Sequence, residues 1–307
     1  MRVQTTVADK IEFLGVGLHA GRPARLIVLP ADANTGILFR RTDIAENNVI
    51  PAVWSNVNQE PLNTRLINEH GVSVSTIEHL MAAFAGTGVH NAIVEIDGPE
   101  VPILDGSAAP FVRKIIKTGL RQMDVTLRAI KVLKQIEVTD GAARATLTPA
   151  DNLQIAFHID FPDPAIGRQD KVLNMANGAF VRELCDSRTF CRNADIEFMH
   201  GQGLALGGTL SNAVVVDHDR VLSPGGMRHA DEPVRHKMLD ALGDLYTAGA
   251  PILGLYTGIR AGHAMTNKLL RALFDHPDAW EWVDVDAETA AQLPGVGVKV
   301  EDLARVA

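Results

Sequence analysis

The amino-acid sequence predicts an α+β protein in which sheets and helices form layers in both halves of the chain. Strand patterns follow one another with turn residues between them, and helical patterns are set among these strands. This order does not favour a parallel, doubly wound sheet. The 307 residues suffice for one large or two medium domains, and we place a boundary near residue 126.

The first half contains three short strand patterns and one strong helix pattern. The strand patterns cover residues 25–29, 37–40 and 91–96. Ser75 stands three residues before Glu78, which is the spacing of a capping box. Apolar side chains then follow at helical spacing, at Ile77, Leu80, Met81 and Phe84. Gly86 and Gly88 are expected to end this helix.

The sequence pattern in the middle of the chain predicts a second helix over residues 108–118, which Gly119 ends. Residues 120–128 are predicted to form a link. Strand patterns of a predicted antiparallel meander then cover residues 130–138, 145–148 and 153–159. A further helix is predicted over residues 232–246, where Pro233 suits the first turn. Helical and strand segments alternate from there to the end of the chain.

Composition excludes several classes of protein. Lys plus Arg is 29 against 37 for Asp plus Glu, so the formal charge of −8 argues against nucleic-acid binding. No stretch reaches the roughly 18 apolar residues of a membrane span, and the N-terminus lacks the basic start and apolar segment of a signal peptide, so a cytoplasmic location is expected. Cys185 and Cys191 are too few for a disulfide framework or a cysteine zinc cluster. A metal would need histidine and carboxylate ligands.

The helix over residues 232–246 carries the first candidate site. Its apolar residues form one stripe, and His236, Asp240 and Asp244 lie together on the other side with Lys237 beside them. Residues four apart on a helix can reach one metal ion, so His236 and Asp240 are candidate ligands. The alternative is a solvated polar face with a hydrogen bond between the same two side chains.

Glu78 and His79 form the second candidate. His79 would complete a set of three protein ligands with one open position, the pattern of catalytic zinc, and Glu78 would deprotonate the metal-bound water. The alternative makes Glu78 the capping partner of Ser75 and His79 a packed surface histidine. Spacing alone does not bring residues 79 and 236 together.

A series of sequence blocks adds specificity that no single motif has. The blocks are GVGLH at 15–19, ANTG at 33–36, STIEHL at 75–80, PILDGSAAPF at 102–111, SRTF at 187–190, GG at 207–208, VRHKMLD at 234–240 and GHA at 262–264. In this order, and up to about residue 270, they resemble the zinc-dependent UDP-3-O-acyl-N-acetylglucosamine deacetylases of lipid A biosynthesis in Gram-negative bacteria. The resemblance implies two domains of similar topology, 1–126 and 127–307, each a β-sheet layered against helices with an insertion, and an active site at their interface.

The resemblance also assigns the reaction, which is removal of the N-acetyl group to give a free amine and acetate, the committed step of lipid A biosynthesis. It makes His79, His236 and Asp240 the ligands of one Zn²⁺, with Fe²⁺ as the alternative ion in the cell. Glu78 becomes the general base. His263 would be the second catalytic group and would stay protonated.

Other catalytic roles follow from the same resemblance. Asp244 would hold His263, and the Thr189 hydroxyl would donate to the oxyanion. Lys237 would reach the substrate phosphates or the developing charge. Glu78 and His263 would be needed in opposite protonation states, which predicts a bell-shaped pH dependence of kcat/KM.

For the substrate, the resemblance implies that Phe190 lies beside it and that Asp160 and Phe161 contact the uridine end. Phe161 as a core aromatic at a strand end is the alternative. His19 would line the nucleotide region, or would be a turn histidine with a structural bond. The expected partners are the UDP-linked substrate and, transiently, the inner membrane surface, with no nucleic acid, no transmembrane segment and a monomeric chain.

An insertion over residues 191–216 would build an apolar passage for the acyl chain. Its candidate lining residues, for which ordinary core packing is the alternative, are Ile196, Phe198, Met199, Leu204, Leu206, Leu210, Ala213 and Val214. Cys191 and Arg192 depart from the family, in which glycine often follows the threonine-phenylalanine pair. Two rival functions are a catalytically silent UDP-sugar or acyl-chain binding protein and a zinc hydrolase for another N-acetyl sugar.

Overall fold

Two large β-sheets, one from each half of the chain, form the framework of the structure. The structure is a computed structural model and describes residues 3–59 and 62–305. In spatial order, the first sheet contains β2 (Ile11–Val16), β3 (Pro23–Pro30), β9 (Ala92–Ile96), β4 (Ile37–Arg41) and β5 (Val49–Pro51). Burial alternates along β3, where Leu26 and Val28 are buried and Arg25 is exposed, so one face of this sheet lies against the core. The three predicted strands of this half are confirmed.

The second sheet is mixed. Its seven strands are β11 (Arg128–Val132), β12 (Ile136–Asp140), β13 (Ala143–Thr148), β14 (Leu153–Asp160), β15 (Arg168–Asn174), β19 (Ile252–Ile259) and β20 (Trp280–Asp284). The single strand predicted over residues 130–138 is wrong, because β11 ends at Val132 and β12 begins at Ile136. The predicted meander is confirmed for β12 and β13, which pair antiparallel. It is wrong for β14, because β19 lies between β13 and β14 and pairs with β14 in parallel. A strand from the far end of the chain thus enters the centre of the sheet.

Three small sheets complete the strands. They contain β1 (Val3–Val7) with β10 (Leu120–Thr126), β6 (Val57–Asn58) with β7 (Arg65–Ile67) and β8 (Ser73–Val74), and β16 (Phe190–Arg192) with β17 (Val214–Asp217) and β18 (Arg220–Val221). The link predicted over residues 120–128 is wrong, because β10 pairs antiparallel with β1 and β11 begins directly after it. The half-buried Leu120, Met123 and Val125 alternate with more exposed neighbours, a weak version of the strand pattern. The domain boundary near residue 126 stays a prediction.

Six α-helices of the described residues pack among these sheets. They are α1 (Glu78–Thr87), α2 (Ala109–Thr118), α3 (Asn193–Gly201), α4 (Glu232–Tyr246), α5 (His263–Phe274) and α6 (Ala287–Gln292). The start of α1 differs from the prediction. Ser75 does not cap it, because the Ser75 hydroxyl donates to the Pro99 carbonyl oxygen and Ile77 occupies the cap position. Gly88, in the left-handed conformation, ends the helix, whereas Gly86 lies inside it.

Helices α1 and α4 come into very close contact, which joins the two halves of the chain. A Cβ atom on Gly243 of α4 would lie 2.0 Å from the carbonyl oxygen of Glu78, so only glycine permits this approach. Apolar residues from both halves also form one continuous core cluster. The ends of α1 and α4 that carry the candidate site residues are therefore held together by the packing of the fold. Within the described ranges, the helices are all too short or too polar to cross a bilayer.

Candidate metal centre

Helix α4 presents His236, Asp240 and Asp244 on one face, as the sequence predicts. All three side chains are buried, with His236 and Asp240 only 2% and 3% exposed. The alternative of a solvated polar face is therefore wrong. The apolar stripe predicted for the opposite face is buried too, so this helix is enclosed on both sides. Burying ionisable groups is costly unless they are paired or bind a metal ion.

His79 of α1 lies opposite this face. One ligand atom each of His79, His236 and Asp240 can be chosen so that all lie within 4.8 Å of one another. Asp240 Oδ1 is 3.6 Å from His79 Nε2 and 3.3 Å from His236 Nε2. The two imidazole rings meet edge to face, with centroids 5.0 Å apart. His79 is thus no surface histidine, and two segments distant in sequence supply one cluster.

The hydrogen bonds around this cluster fit a bound cation. His236 Nδ1 donates to the Ser187 carbonyl oxygen at 3.0 Å, so in the neutral ring Nε2 carries a lone pair. Burial lowers the pKa of His236 to about 4, which keeps the ring neutral. Asp240 Oδ1 is buried and has no hydrogen-bond partner among the described residues. A lone pair on nitrogen therefore faces an unpartnered carboxylate oxygen, an arrangement that a metal ion would satisfy.

Glu78 lies beside the cluster and is oriented by a backbone group. Its Oε2 accepts a hydrogen bond from the Thr64 N–H at 3.0 Å, and its Oε1 lies 4.0 Å from His263 Nε2. The reading of Glu78 as a capping partner of Ser75 is therefore wrong. Burial raises the pKa of Glu78, although His263 and His79 oppose this shift. A raised carboxyl pKa suits a group that must take up a proton near neutral pH.

His263 begins α5 and is paired with Asp244. Its Nδ1 donates to Asp244 Oδ2 at 2.8 Å, and because a carboxylate only accepts, Nδ1 keeps its proton in both charge states. The proton that titrates is therefore on Nε2, the atom nearest Glu78 and Asp240. Burial opposes a charged ring, but the Asp244 and Glu78 carboxylates prevail and raise the pKa of His263 to about 9.

Two further predicted groups flank the cluster. Lys237 Nζ donates to Asp240 Oδ2 at 2.7 Å, which leaves Oδ1 for a metal ion. Burial disfavours the Lys237 charge, but Asp240 reverses this effect and raises the pKa of the amine. Thr189 lines the adjoining cavity, and its N–H donates to the Gly106 carbonyl oxygen at 2.8 Å. The neighbouring Arg188 is fixed by a buried ion pair with Glu232 at the start of α4.

The cluster opens into a cavity of about 1260 Å³. Of the residues predicted to line an apolar passage, Ile196, Phe198, Met199, Leu204, Leu210 and Ala213 line it. Leu206 and Val214 do not. Because side chains alternate along β17, Val214 points into the core and Val215 faces the cavity instead. Cys191 and Arg192 also lie in the wall, and burial raises the pKa of the Cys191 thiol to about 11.

The residues predicted for the far end of the substrate differ in their surroundings. Phe161 and Phe190 both line the cavity and pack edge to face, with ring centroids 5.4 Å apart. Asp160 is exposed, does not line the cavity and forms an ion pair with Arg260. His19 lines the cavity and also has a structural bond, since its Nδ1 accepts from the Ala205 N–H at 3.3 Å.

Sequence reasoning missed two groups that support the site. Thr64 donates to Glu78 through its N–H and to Asp244 through its hydroxyl. Glu100 is buried and accepts from the His19 N–H, the Ala20 N–H and the Thr76 hydroxyl. Neither residue stands at a spacing that marks it, because both act across long distances in sequence. A Cβ on Gly17 would collide with the Glu100 carboxylate, a close approach that only the structure reveals.

The sequence also matches a family model and known proteins. The family model of the UDP-3-O-acyl N-acetylglycosamine deacetylases matches residues 4–275. A UDP-3-O-acyl-N-acetylglucosamine deacetylase of Shewanella frigidimarina is 44% identical over 290 residues, covering 94% of this chain and 95% of its own. Proteins of the same name from Shewanella piezotolerans and Shewanella oneidensis are 45% identical over 293 residues and 44% over 301, covering 95% and 96% of this chain and 96% and 98% of their own. The chain therefore belongs to the UDP-3-O-acyl N-acetylglycosamine deacetylase family.

Proposed function

We propose that this protein is a zinc-dependent amidohydrolase that removes the N-acetyl group from a UDP-3-O-acylated N-acetylglucosamine. The observation that carries the proposal is the convergence of His79, His236 and Asp240 on one point, with Glu78 and His263 beside it and a large cavity in front. The curated relatives bear the name of this deacetylase over nearly their whole length. A catalytically silent binding protein would have no need to bury so many ionisable groups at one place.

His79, His236 and Asp240 would hold the metal ion, and two neutral imidazoles with one carboxylate form a donor set that Zn²⁺ accepts. When bound, such an ion polarises the amide carbonyl and lowers the pKa of a coordinated water to about 7. Glu78 takes the proton from the attacking water through Oε1, because Oε2 is engaged by the Thr64 N–H. The Lys237 ammonium stays on Asp240 Oδ2 and limits the negative charge of the site.

The protonated Nε2 of His263 faces the same space and stabilises the oxyanion that forms on the amide oxygen. The Thr189 hydroxyl, in the cavity wall, is the second donor. Either His263 or Glu78 then protonates the departing nitrogen, and acetate and a free glucosamine amine are released. The apolar part of the cavity takes the acyl chain, and Phe161 and Phe190 take the sugar-nucleotide side.

Acetate release from the purified protein tests this proposal directly. We expect about one metal ion per chain and steady acetate release from UDP-3-O-acyl-N-acetylglucosamine. Chelation should abolish the rate, and one equivalent of Zn²⁺ or Fe²⁺ should restore it, which also compares the two ions. UDP-N-acetylglucosamine without the acyl chain is the matched control and should react far more slowly. Equal rates on both substrates would favour the hydrolase for another N-acetyl sugar, and a metal-free protein with full activity would contradict the mechanism.

The pH dependence of kcat/KM should be bell-shaped. Glu78 must be ionised to accept a proton, so activity rises with pH as this carboxyl, whose pKa burial raises, loses its proton. His263 must be protonated, so activity falls as pH rises through its pKa of about 9. In His263→Gln the alkaline decline should disappear and the overall rate should drop. A wild-type profile with no alkaline decline between about pH 8 and 10 would contradict this division of roles.

The remaining expectations stay predictions. Asp160 and His19 are candidates for contacts with the nucleotide, and the insertion residues Cys191 and Arg192 for selection of acyl length. A monomeric state, a cytoplasmic location and transient contact with the inner membrane surface belong to the same proposal.

A further inference from the structure

Thr64 connects the two proton-handling groups of the site. It is 3% exposed, and each of its polar groups has a partner. Its N–H donates to Glu78 Oε2 at 3.0 Å, and its hydroxyl donates to Asp244 Oδ1. Its carbonyl oxygen accepts from the Ile77 N–H at 3.3 Å, at the start of α1. One residue therefore bonds to the proposed base, to the helix that carries it and to the partner of His263.

The hydroxyl of Thr64 fixes the orientation of the Asp244 carboxylate. Asp244 Oδ1 accepts from Thr64, while Oδ2 accepts from His263 Nδ1 at 2.8 Å. Bonds to both oxygens define the plane of the carboxylate, whose terminal torsion is otherwise broad. Without the hydroxyl, Oδ1 would be a buried acceptor that has lost its partner, and the carboxylate would turn to find another. The His263 ring would then lose its fixed position.

The backbone of the same residue selects which oxygen of Glu78 reacts. Because the Thr64 N–H engages Oε2, Oε1 is the oxygen that faces His263 Nε2 at 4.0 Å.

We propose that Thr64 is a positioning residue for the deacetylation, an inference that rests on the proposed function. In the described part of the chain, Leu62 and Asn63 belong to the cavity wall but Thr64 does not, so it touches no substrate. It acts through Asp244 by its hydroxyl and through Glu78 by its N–H. Loss of the hydroxyl is therefore expected to lower kcat, the rate at which bound substrate reacts, and to leave substrate binding unchanged.

Substitution of the side chain separates these contributions. Thr64→Val keeps the shape and the N–H but removes the hydroxyl, and we expect kcat to fall about 10- to 100-fold while KM changes less than about twofold, as for loss of a hydrogen bond to a charged group. Thr64→Ser keeps the hydroxyl and should stay within about threefold of the wild type. Thr87→Val is the matched control, because it removes another buried threonine hydroxyl, bonded to the Ala83 carbonyl oxygen of α1. It should leave kcat unchanged.

A double-mutant cycle tests whether the hydroxyl acts through Asp244. In the Asp244→Ala background, Thr64→Val should cause little further loss, since its only acceptor has been removed. If the kcat of the double variant fell by the product of the two single losses, the inference would be overturned. Wild-type kcat in Thr64→Val would overturn it too, and so would an equal loss in Thr64→Ser, which would indicate side-chain shape alone.

The His263 Nδ1 proton gives a readout that does not depend on turnover. Its resonance in ¹⁵N-labelled, metal-loaded protein should shift or broaden in Thr64→Val and stay in place in Thr64→Ser and Thr87→Val. An unchanged resonance in Thr64→Val would overturn the inference. If the wild type released no acetate, the proposed function would fail, and this resonance would still decide whether Thr64 positions the Asp244 and His263 pair.

Discussion

Glu78→Gln should lower kcat/KM by about 10²- to 10⁴-fold, the range expected for loss of a general base, and should leave the metal content unchanged. Glutamine has nearly the same shape, and its side-chain oxygen can still accept the hydrogen bond from the Thr64 N–H. What the amide lacks is the ability to take up a proton. Since Glu78 does not belong to the cluster of His79, His236 and Asp240, the metal should bind as before.

The measurement combines acetate release with metal analysis on the same preparation. Glu95→Gln provides a control, because Glu95 lies on β9, forms an ion pair with Arg40 and does not line the cavity. It should keep the wild-type rate and metal content. A Glu78→Gln protein with one bound metal and an undiminished rate would remove Glu78 from the mechanism. Loss of the metal in this variant would instead make Glu78 a ligand.

Local sequence patterns predicted the elements that carry the site, and the reason is physical. The apolar stripe of α4 repeats at helical spacing, so the sequence alone places His236, Asp240 and Asp244 on a shared face. The same pattern could not tell whether this face was solvated, because burial depends on what packs against it. Here α1 packs against it through the close approach at Gly243. A single glycine within a helix does not indicate which segment of the chain will pack there.

Pairing between residues distant in sequence accounts for the errors in the predicted fold. The Ser75 and Glu78 spacing fitted a capping box, but Pro99 and Thr64 supply competing partners from other segments. The meander failed at β14 because β19, about a hundred residues later, inserts beside it. None of these three partners is marked by residues near the motif that it overrides. The family resemblance assigned His79 and His236 to one metal ion, which spacing could not do, whereas Thr64 had neither kind of signal.

Asp240→Asn should remove the metal ion and lower kcat/KM by about 1000-fold or more. Loss of the metal-derived charge stabilisation is worth several kcal/mol in the transition state. Asp240 is the only anionic member of the cluster, and its unpartnered Oδ1 lies 3.6 Å from His79 Nε2 and 3.3 Å from His236 Nε2. The neutral amide keeps the volume but supplies a weaker donor. It also leaves the buried Lys237 ammonium without its carboxylate partner, so a second positive charge at the site becomes less favourable.

Asp244→Asn is the matched control, since it makes the same chemical change one helical turn further along α4. Asp244 pairs with His263 and Thr64 and not with the metal cluster, so this variant should keep about one metal per chain while losing rate. Metal content after gel filtration and acetate release separate the two effects, and thermal unfolding of each protein with and without Zn²⁺ separates both from misfolding. The wild type and Asp244→Asn should be stabilised by Zn²⁺, and Asp240→Asn should not, because only a ligand bound to the native state raises its stability. Zinc-dependent stabilisation of Asp240→Asn equal to that of the wild type would mean that the ion binds elsewhere, and the assignment of the cluster would fail.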